Sequence, residues 1–408
     1  MGEAKKTISR WQNILEYSIL LASLIISALI ILKGDGFVPK PPMDQHFVDT
    51  VNLQLRQEAG HFVFQYPNLM HAGGITSSLT AGLFKLIIPT TSATLNWSFK
   101  IFAMAGHLIT SFYLLRTVIP NLFSLRLLGF LIIATSGFQL LEPSSEVVSA
   151  SFLNLFFIAA LRPWPKVVPA FFLASFGLCK VELSLSAIAL SLLWWAWEWR
   201  RGTPKSFQSA VFTWLFMAMF LAPAFVLTGS NPFTADRGST AFFSTYKDTM
   251  RMHQFQLVPP TEAEADVAMR KTVFRDSPTF KDVIIKHPNL YADYLGVSAA
   301  RSIPNIFKVF KFMLIPFIIA LSRLKYVKEN TFILQSSILV AACILIPSWL
   351  FIFVRMRYIA KILSLVTAAT ISSSIELSQK RKSYLATLWV SGVATLAWQL
   401  FSLTPYQD

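Results

Sequence analysis

Residues 73–89 read GGITSSLTAGLFKLIIP, and the topology of the whole chain turns on whether this run crosses a membrane. The chain has 408 residues, 54% of them hydrophobic and 14% charged, with a mean hydropathy of +0.53. Soluble domains carry about 25% charged residues, so lipid is the solvent for most of this sequence. Apolar runs lie at 12–32, 75–89, 95–115, 123–141, 147–161, 165–179, 182–197, 208–228, 304–321, 331–353, 359–375 and 385–402. Basic clusters punctuate them: Lys5/Lys6/Arg10, Arg116/Arg126, Arg162/Lys166, Arg200/Arg201/Lys205, Arg323/Lys325/Lys328 and Lys380/Arg381/Lys382. If every run crossed, the second and later clusters would not share a side with the first. Without a crossing at 75–89, all of them fall on the cytoplasmic side, as the positive-inside rule requires. That run also carries Lys85 and a polar face made of Thr76, Ser77, Ser78 and Thr80. It reads as an amphipathic helix at the interface.

The expected fold is therefore an all-α polytopic membrane protein with about eleven transmembrane helices. Its N-terminus would be cytoplasmic and its C-terminus external. The first run, behind the basic start MGEAKK, is too long for a signal-peptide core and reads as an uncleaved signal anchor. Lys6 occupies the place where myristoylation needs Ser or Thr.

Other classes are disfavoured by what the residues lack. The net charge of +15 comes from clusters between apolar runs, not from a stripe on a soluble face, so nucleic acid is not an expected partner. Cys179 and Cys343 both lie in or beside apolar runs and make no disulfide framework. The histidines show no HExxH or comparable ligand spacing, and no Walker loop or GxSxG elbow occurs. The sequon at Asn96 abuts a span and reads as chance.

This count makes residues 33–94 the first external loop, and the turns at 142–146 and 178–182 face the same side. So does the polar stretch 229–303, where Thr261 and Glu264 have capping-box spacing. Farther on, Ser277 is the expected N-cap, with Pro278 in the first turn and a break at Pro288. Three regions follow: 1–228 in the membrane with its external loop, 229–303 as a small external helical cap, and 304–408 back in the membrane.

Four groups on the external side could carry chemistry. Asp44 and Asp49, within PKPPMDQHFVDTVNLQLRQEAGHFVFQYP (39–67), are each placed to act as general base. They are five residues apart and would not share a helix face, so they read as alternatives for one role; solvated loop acids are the plainer reading. Glu142 and Glu146 in LEPSSE end one span and begin the next, where Glu146 could equally cap a helix N-terminus. Lys180 in LCKVE interrupts two apolar runs and calls for an anion, either Glu182 or the phosphate of a lipid-linked substrate, unless it merely snorkels. Arg355, Arg357 and Lys361 in FVRMRYIAK form a basic cluster on the side where basic residues are not expected, which suits a lipid phosphate. A miscounted hairpin would explain the cluster instead. His71, in the first external loop, joins the substrate-binding candidates.

One span, an external loop with an early Asp and a YP element, an interfacial helix, and short acidic outward turns: this order resembles the GT-C superfamily of membrane glycosyltransferases. PPMDQ puts Asp44 at the position of that family's first-loop Asp, with Gln45 where Glu is frequent. EPSSE is similar to the second outward turn, with Glu where Asp is usual, and LCKVE to the outward TK element. The resemblance covers about the first 230 residues, since its motifs are short. It implies a multi-pass protein of the bacterial inner membrane that moves a sugar from a polyprenyl-phosphate donor to a lipid or glycan acceptor, with inversion. Asp44 or Asp49 would be the base, and Lys180 with an outward arginine would hold the donor phosphate. No cofactor is implied; a divalent metal is compatible but not required. The second reading, a transporter or flippase for a lipid-linked glycan, is weakened by the lack of an internal repeat.

Overall fold

The structure, a computed structural model, describes residues 2–35, 55–58, 61–64, 75–87, 92–140, 145–228, 239, 242, 243, 245, 246, 250, 271–275, 277, 279–327, 330–351 and 356–401. Helix dominates. Helix α1 (Gly2–Asp35) is followed by a hairpin of β1 (Leu55–Glu58) and β2 (His61–Phe64), antiparallel, with Leu55 opposite Phe64 and Glu58 opposite His61. The sequence reading did not anticipate this hairpin; its strands are the only ones among the described residues. Then come α2 (Ile75–Ile87), α3 (Ser92–Val118), α4 (Phe123–Leu140), α5 (Ser145–Ala160), α6 (Val167–Gly177), α7 (Val181–Arg200) and α8 (Gln208–Thr228). The C-terminal part holds α9 (Phe280–Lys286), α10 (Pro288–Phe310), α11 (Leu314–Ser322), α12 (Thr331–Phe351), α13 (Met356–Ala360), α14 (Leu363–Ser378) and α15 (Ser383–Phe401).

Among the described residues, five helical stretches are long and apolar enough to cross a membrane: Arg10–Lys33, Ser98–Val118, Pro288–Ser322, Thr331–Leu350 and Ser383–Phe401. Shorter apolar helices include Phe123–Ser136, Glu146–Ala160, Val167–Gly177, Gln208–Pro223 and Leu363–Ser378. Large apolar side chains cover the outside, among them Leu21 and Leu29 on α1, Leu215 and Met219 on α8, and Val390 and Val393 on α15. Water would not tolerate so much exposed apolar surface on a soluble protein, so the exterior is compatible with a multi-pass membrane protein.

Side-chain contacts sort the helix ends into two sets. At one end Arg126 and Arg116 reach Glu16, Arg162 reaches Thr117, and Lys166 pairs with Glu198 and with the carbonyls of Pro204 and Lys205. At the other end the start of α2, the α6–α7 turn, the start of α5 and the α13–α14 junction come together. Neighbouring helices therefore run up and down, and the basic clusters from Arg116 to Lys205 share one end.

Helix α14 is the hub. It touches α3, α4, α5, α11, α12 and α15, and is buried nearly all round despite the hydroxyl-rich sequence LSLVTAATISSSIELS. Small side chains let neighbouring backbones come close, which is how helices gain packing energy where no water drives them together. A Cβ on Gly129 of α4 would lie 2.7 Å from Ile371 Cδ1 of α14. Asn154 of α5 ties three helices, donating to Thr110 Oγ1 at 3.2 Å and Ser111 Oγ at 3.1 Å on α3 and accepting from Ser364 Oγ of α14 at 2.7 Å.

Three expectations need adjusting. The helix expected to be capped by Ser277 is capped two residues later: Thr279 accepts from the Asp282 N–H, and the Asp282 carboxylate accepts from the Thr279 N–H at 3.0 Å. Thr279 and Asp282 have the three-residue reciprocity of a capping box, which Ser277 lacks. Pro288 does interrupt the chain, as the first residue of α10, but α10 then passes through residue 303 without a break. The end of the polar segment and the start of the next apolar run therefore share one helix, which ends at Phe310, where Lys311 at φ 48° turns the chain into α11. Finally, two residues of the polar face expected on α2 meet protein, while the side chain of Ser78 is not among those described. Thr76 and Ser77 are buried against the α6–α7 turn, while Leu83 and Ile87 are exposed. Backbone carbonyls left open by that turn are a better partner for a hydroxyl than the interface is. The helix expected at Thr261 lies outside the described residues.

The segment between α8 and α10 has its own core. Phe242, Phe243, Tyr246, Phe274, Val283 and Tyr294 are buried together, with Phe280 and Tyr291 packed on them. Tyr291 and Ser298 donate to the carbonyls of Leu350 and Trp349, which fastens α10 to the end of α12 just before α13.

Candidate functional site

The site starts from a helix that stops early. Helix α6 has 11 residues, and the turn Leu178–Lys180 reverses the chain into α7. The reversal is tight because Gly177 packs on α7, where Ser184 Oγ donates to the Gly177 carbonyl at 3.0 Å. The Thr76 N–H donates to Leu178 O at 3.2 Å, and Ser77 Oγ donates to Cys179 O at 3.3 Å. These bonds satisfy carbonyls that lie beyond the end of the α6 ladder. Lys180 then takes extended backbone, φ −152° and ψ 148°, as the N-cap of α7, and its side chain makes no capping bond.

That side chain reaches Glu146 instead. The two form an ion pair in which the carboxylate is 2% exposed and the lysine 11%. Glu146 lies in the first turn of α5, where the helix N-terminus favours a negative charge. Glu146 thus sits at a helix N-terminus, as one of its sequence readings expects, and there it pairs with Lys180. Lys180 thus finds an anion in Glu146; the side chain of Glu182, its other expected partner, is not among those described.

A second lysine completes the group. Tyr358 of α13 has the Lys180 Nζ 5.8 Å from its ring centroid and the Lys361 Nζ at 5.1 Å. Lys361, at the turn into α14, is 1% exposed. Cys179 is buried within electrostatic reach of Lys361, Lys180 and Glu146. Taking each such ion out of water costs several kcal/mol, so a fold keeps a cluster of this kind where its charges are used or mutually satisfied. An ammonium is a compact point charge, and two beside a tyrosine ring and a carboxylate form a group able to grip a phosphate.

Of the sequence candidates, the structure brings together Glu146 and Lys180. Arg357 lies in α13 beside Tyr358, with only its backbone described. Asp44, Asp49, His71, Glu142 and Arg355 lie outside the described residues. Sequence reasoning counted Lys361 in the basic cluster suited to a lipid phosphate but did not bring it together with Lys180 and Glu146, and it missed Tyr358. The signal was there: a lysine inside the apolar run YIAKILSLV. Among the described residues, no three His, Cys, Asp or Glu side chains are gathered as metal ligands. No protein-family model matches the chain, and no curated protein matches it.

Proposed function

We propose that this chain is an inverting membrane glycosyltransferase of GT-C type that takes a sugar from a polyprenyl-phosphate donor on the external face. The observation that carries the reading is the meeting of Lys180 and Lys361 over Tyr358, beside Glu146, at one end of an apolar bundle. A lipid carrier needs such a surface: apolar flanks for the chain and cations at its phosphate. In this reading about eleven helices span the bilayer, the N-terminus is cytoplasmic, and the membrane is the bacterial inner membrane. Region 229–303 forms the external cap.

The proposed step balances simply. Asp44 or Asp49 takes the proton from an acceptor hydroxyl, and that oxygen attacks the anomeric carbon from the face opposite the phosphate. The bond between the anomeric carbon and the phosphate oxygen breaks, and the electron pair leaves with the lipid phosphate. Lys180, Lys361 and an outward arginine stabilise the charge that develops there.

The test is binding of polyprenyl monophosphate, the common leaving group, followed by transfer from a polyprenyl-phosphate sugar by the reconstituted protein. Lys180→Gln and Lys361→Gln should weaken polyprenyl monophosphate binding, and Asp44→Asn or Asp49→Asn should stop transfer while sparing it. Undiminished binding in both lysine variants would remove the phosphate site. Movement of a lipid-linked glycan across the bilayer with no sugar transferred would make the chain a flippase.

A further inference from the structure

At the end of the bundle away from Lys180 and Lys361, two turns meet. Trp197, near the end of α7, stacks on Phe332 in the first turn of α12 with ring centroids 4.5 Å apart. Helix α12 therefore starts at the end where the basic clusters from Arg116 to Lys205 gather. The turn Leu324–Tyr326 follows α11 just before it, and the Tyr326 N–H donates to Arg323 O at 2.8 Å. The second turn, between α14 and α15, carries Lys380, Arg381 and Lys382. Tyr326 joins the two: Lys325 Nζ lies 4.9 Å from its ring centroid and Lys380 Nζ 4.0 Å.

Arg323, Lys325, Lys380, Arg381 and Lys382 are all exposed, and among the described residues none of them is ion-paired. Glu376, one turn before Lys380, accepts instead from the Asn330 N–H and Nδ2, both at 3.3 Å. On a merely solvated basic face, long side chains splay apart to relieve repulsion. Here one ring holds two like charges together, as cations are held over an aromatic face. Apolar surface leads up to the pair along both helices. Helix α11 exposes Ile315 and Ile318, α15 exposes Val390 and Val393, and the two helices touch. Each pair is three residues apart and so lies on one face of its helix. An apolar flank topped by accessible cations suits an anionic amphiphile. Two lysines on one ring favour a headgroup with two phosphates, since each ammonium then meets its own phosphate.

We propose that Lys325 and Lys380, held on Tyr326, bind the headgroup of a phospholipid that carries two phosphates, of the cardiolipin kind. Its acyl chains lie along the exposed faces of α11 and α15, and Arg323 and Arg381 extend the cationic rim. Lys361 precedes α14 and Lys380 follows it, so the two lysine pairs sit at opposite ends of that helix. This site does not depend on the reaction proposed for the other.

The protein, stripped of lipid in detergent, is offered cardiolipin or phosphatidylglycerol, and retained lipid is counted by native mass spectrometry. Cardiolipin should be retained over phosphatidylglycerol. Lys380→Gln should lower that retention about fivefold, the worth of one lysine near an anionic surface. Tyr326→Leu, which keeps every charge and the apolar bulk, should lower it as well. Arg162→Gln, which removes a cation bonded to Thr117 at the same end, should keep all of it. Lys380 is exposed, so its variant tests the site even if Tyr326→Leu melts early. Equal retention of the two lipids by the wild-type protein, or full retention in Lys380→Gln, overturns the proposal. Full retention in Tyr326→Leu, or an equal loss in Arg162→Gln, would mean diffuse attraction in place of a site. Complete displacement by millimolar inorganic pyrophosphate would mean a free-anion site.

Discussion

Lys180 and Lys361 begin two different helices, yet their ammonium groups stand over the same Tyr358 ring, at 5.8 and 5.1 Å. Both lysines are nearly buried, and Glu146 pairs with Lys180. In the function proposed above, a donor phosphate joins this group. The relationship makes structural and functional roles separable by mutation.

Removing one partner of the Glu146–Lys180 pair leaves a buried charge, so Lys180→Met should destabilise the protein by about 3–5 kcal/mol. The double variant Lys180→Met with Glu146→Met should recover most of that loss, because no charge is then stranded. Thermal unfolding in detergent checks both. If the double variant folds like the wild type but no longer binds polyprenyl monophosphate, the pair serves the ligand and not the fold. A double variant as unstable as the single would show that shape, not charge, holds this corner.

Gly177 should not accept a methyl group. A Cβ there would lie 2.5 Å from Ala187 Cβ and 3.6 Å from Ser184 Cα, and neither contact is a flexible side chain that can swing away. Gly177→Ala should cost about 1–3 kcal/mol, as overpacking does. By spreading α6 from α7 it should also shift Lys180 and weaken phosphate binding. Ala187→Gly in the same molecule should reverse both effects. A Gly177→Ala protein with normal melting would disprove the close approach.

Asn154 joins α3, α5 and α14 through hydroxyls that have no water to turn to. Asn154→Leu should lower stability by about 1–2 kcal/mol, the upper range for polar contacts between membrane helices. Ser364→Ala, which removes only one bond, should cost less. Unfolding in graded detergent mixtures would rank the two, and the reverse order would place the main anchor elsewhere.

Asp282 predicts an acid limit for α9. The hydrogen bond from the Thr279 side chain, then that from the Thr279 backbone, holds its carboxyl below the usual aspartate range. A depressed folded-state value means that the capping contribution is present above the unfolded value and fades as pH falls through the folded one. Amide exchange in α9 should therefore stay slow through ordinary aspartate titration and quicken only at more acid pH. In Asp282→Asn that transition should vanish. An unchanged pH profile in the variant would assign the protection to the aromatic core around Phe242.

How much of this was legible differs from residue to residue. The apolar runs fell on helices because a helix satisfies its own backbone, so lipid needs only a local stretch of apolar residues. The cap at Thr279 was legible in principle, but Ser277-Pro278 imitates a helix start two residues too early. The hairpin at 55–64 was missed, since its strands are only four residues each and one of them, LRQE, has no strong strand residues. Thr76 and Ser77 were seen as a polar face, yet polarity alone does not say whether water or a neighbouring turn will meet it.

The sequence by itself determined the segmentation into apolar helices and the side of the bundle on which its basic residues gather, because hydropathy and charge act over one turn or one span. Only the tertiary structure decided that Lys180 pairs with Glu146, and that Tyr358 and Lys361 join them. Each of those contacts is set by which helix ends meet, through Gly177, the start of α2 and the buried hub α14. No local pattern encodes that meeting, since it depends on the packing of helices far apart in the chain.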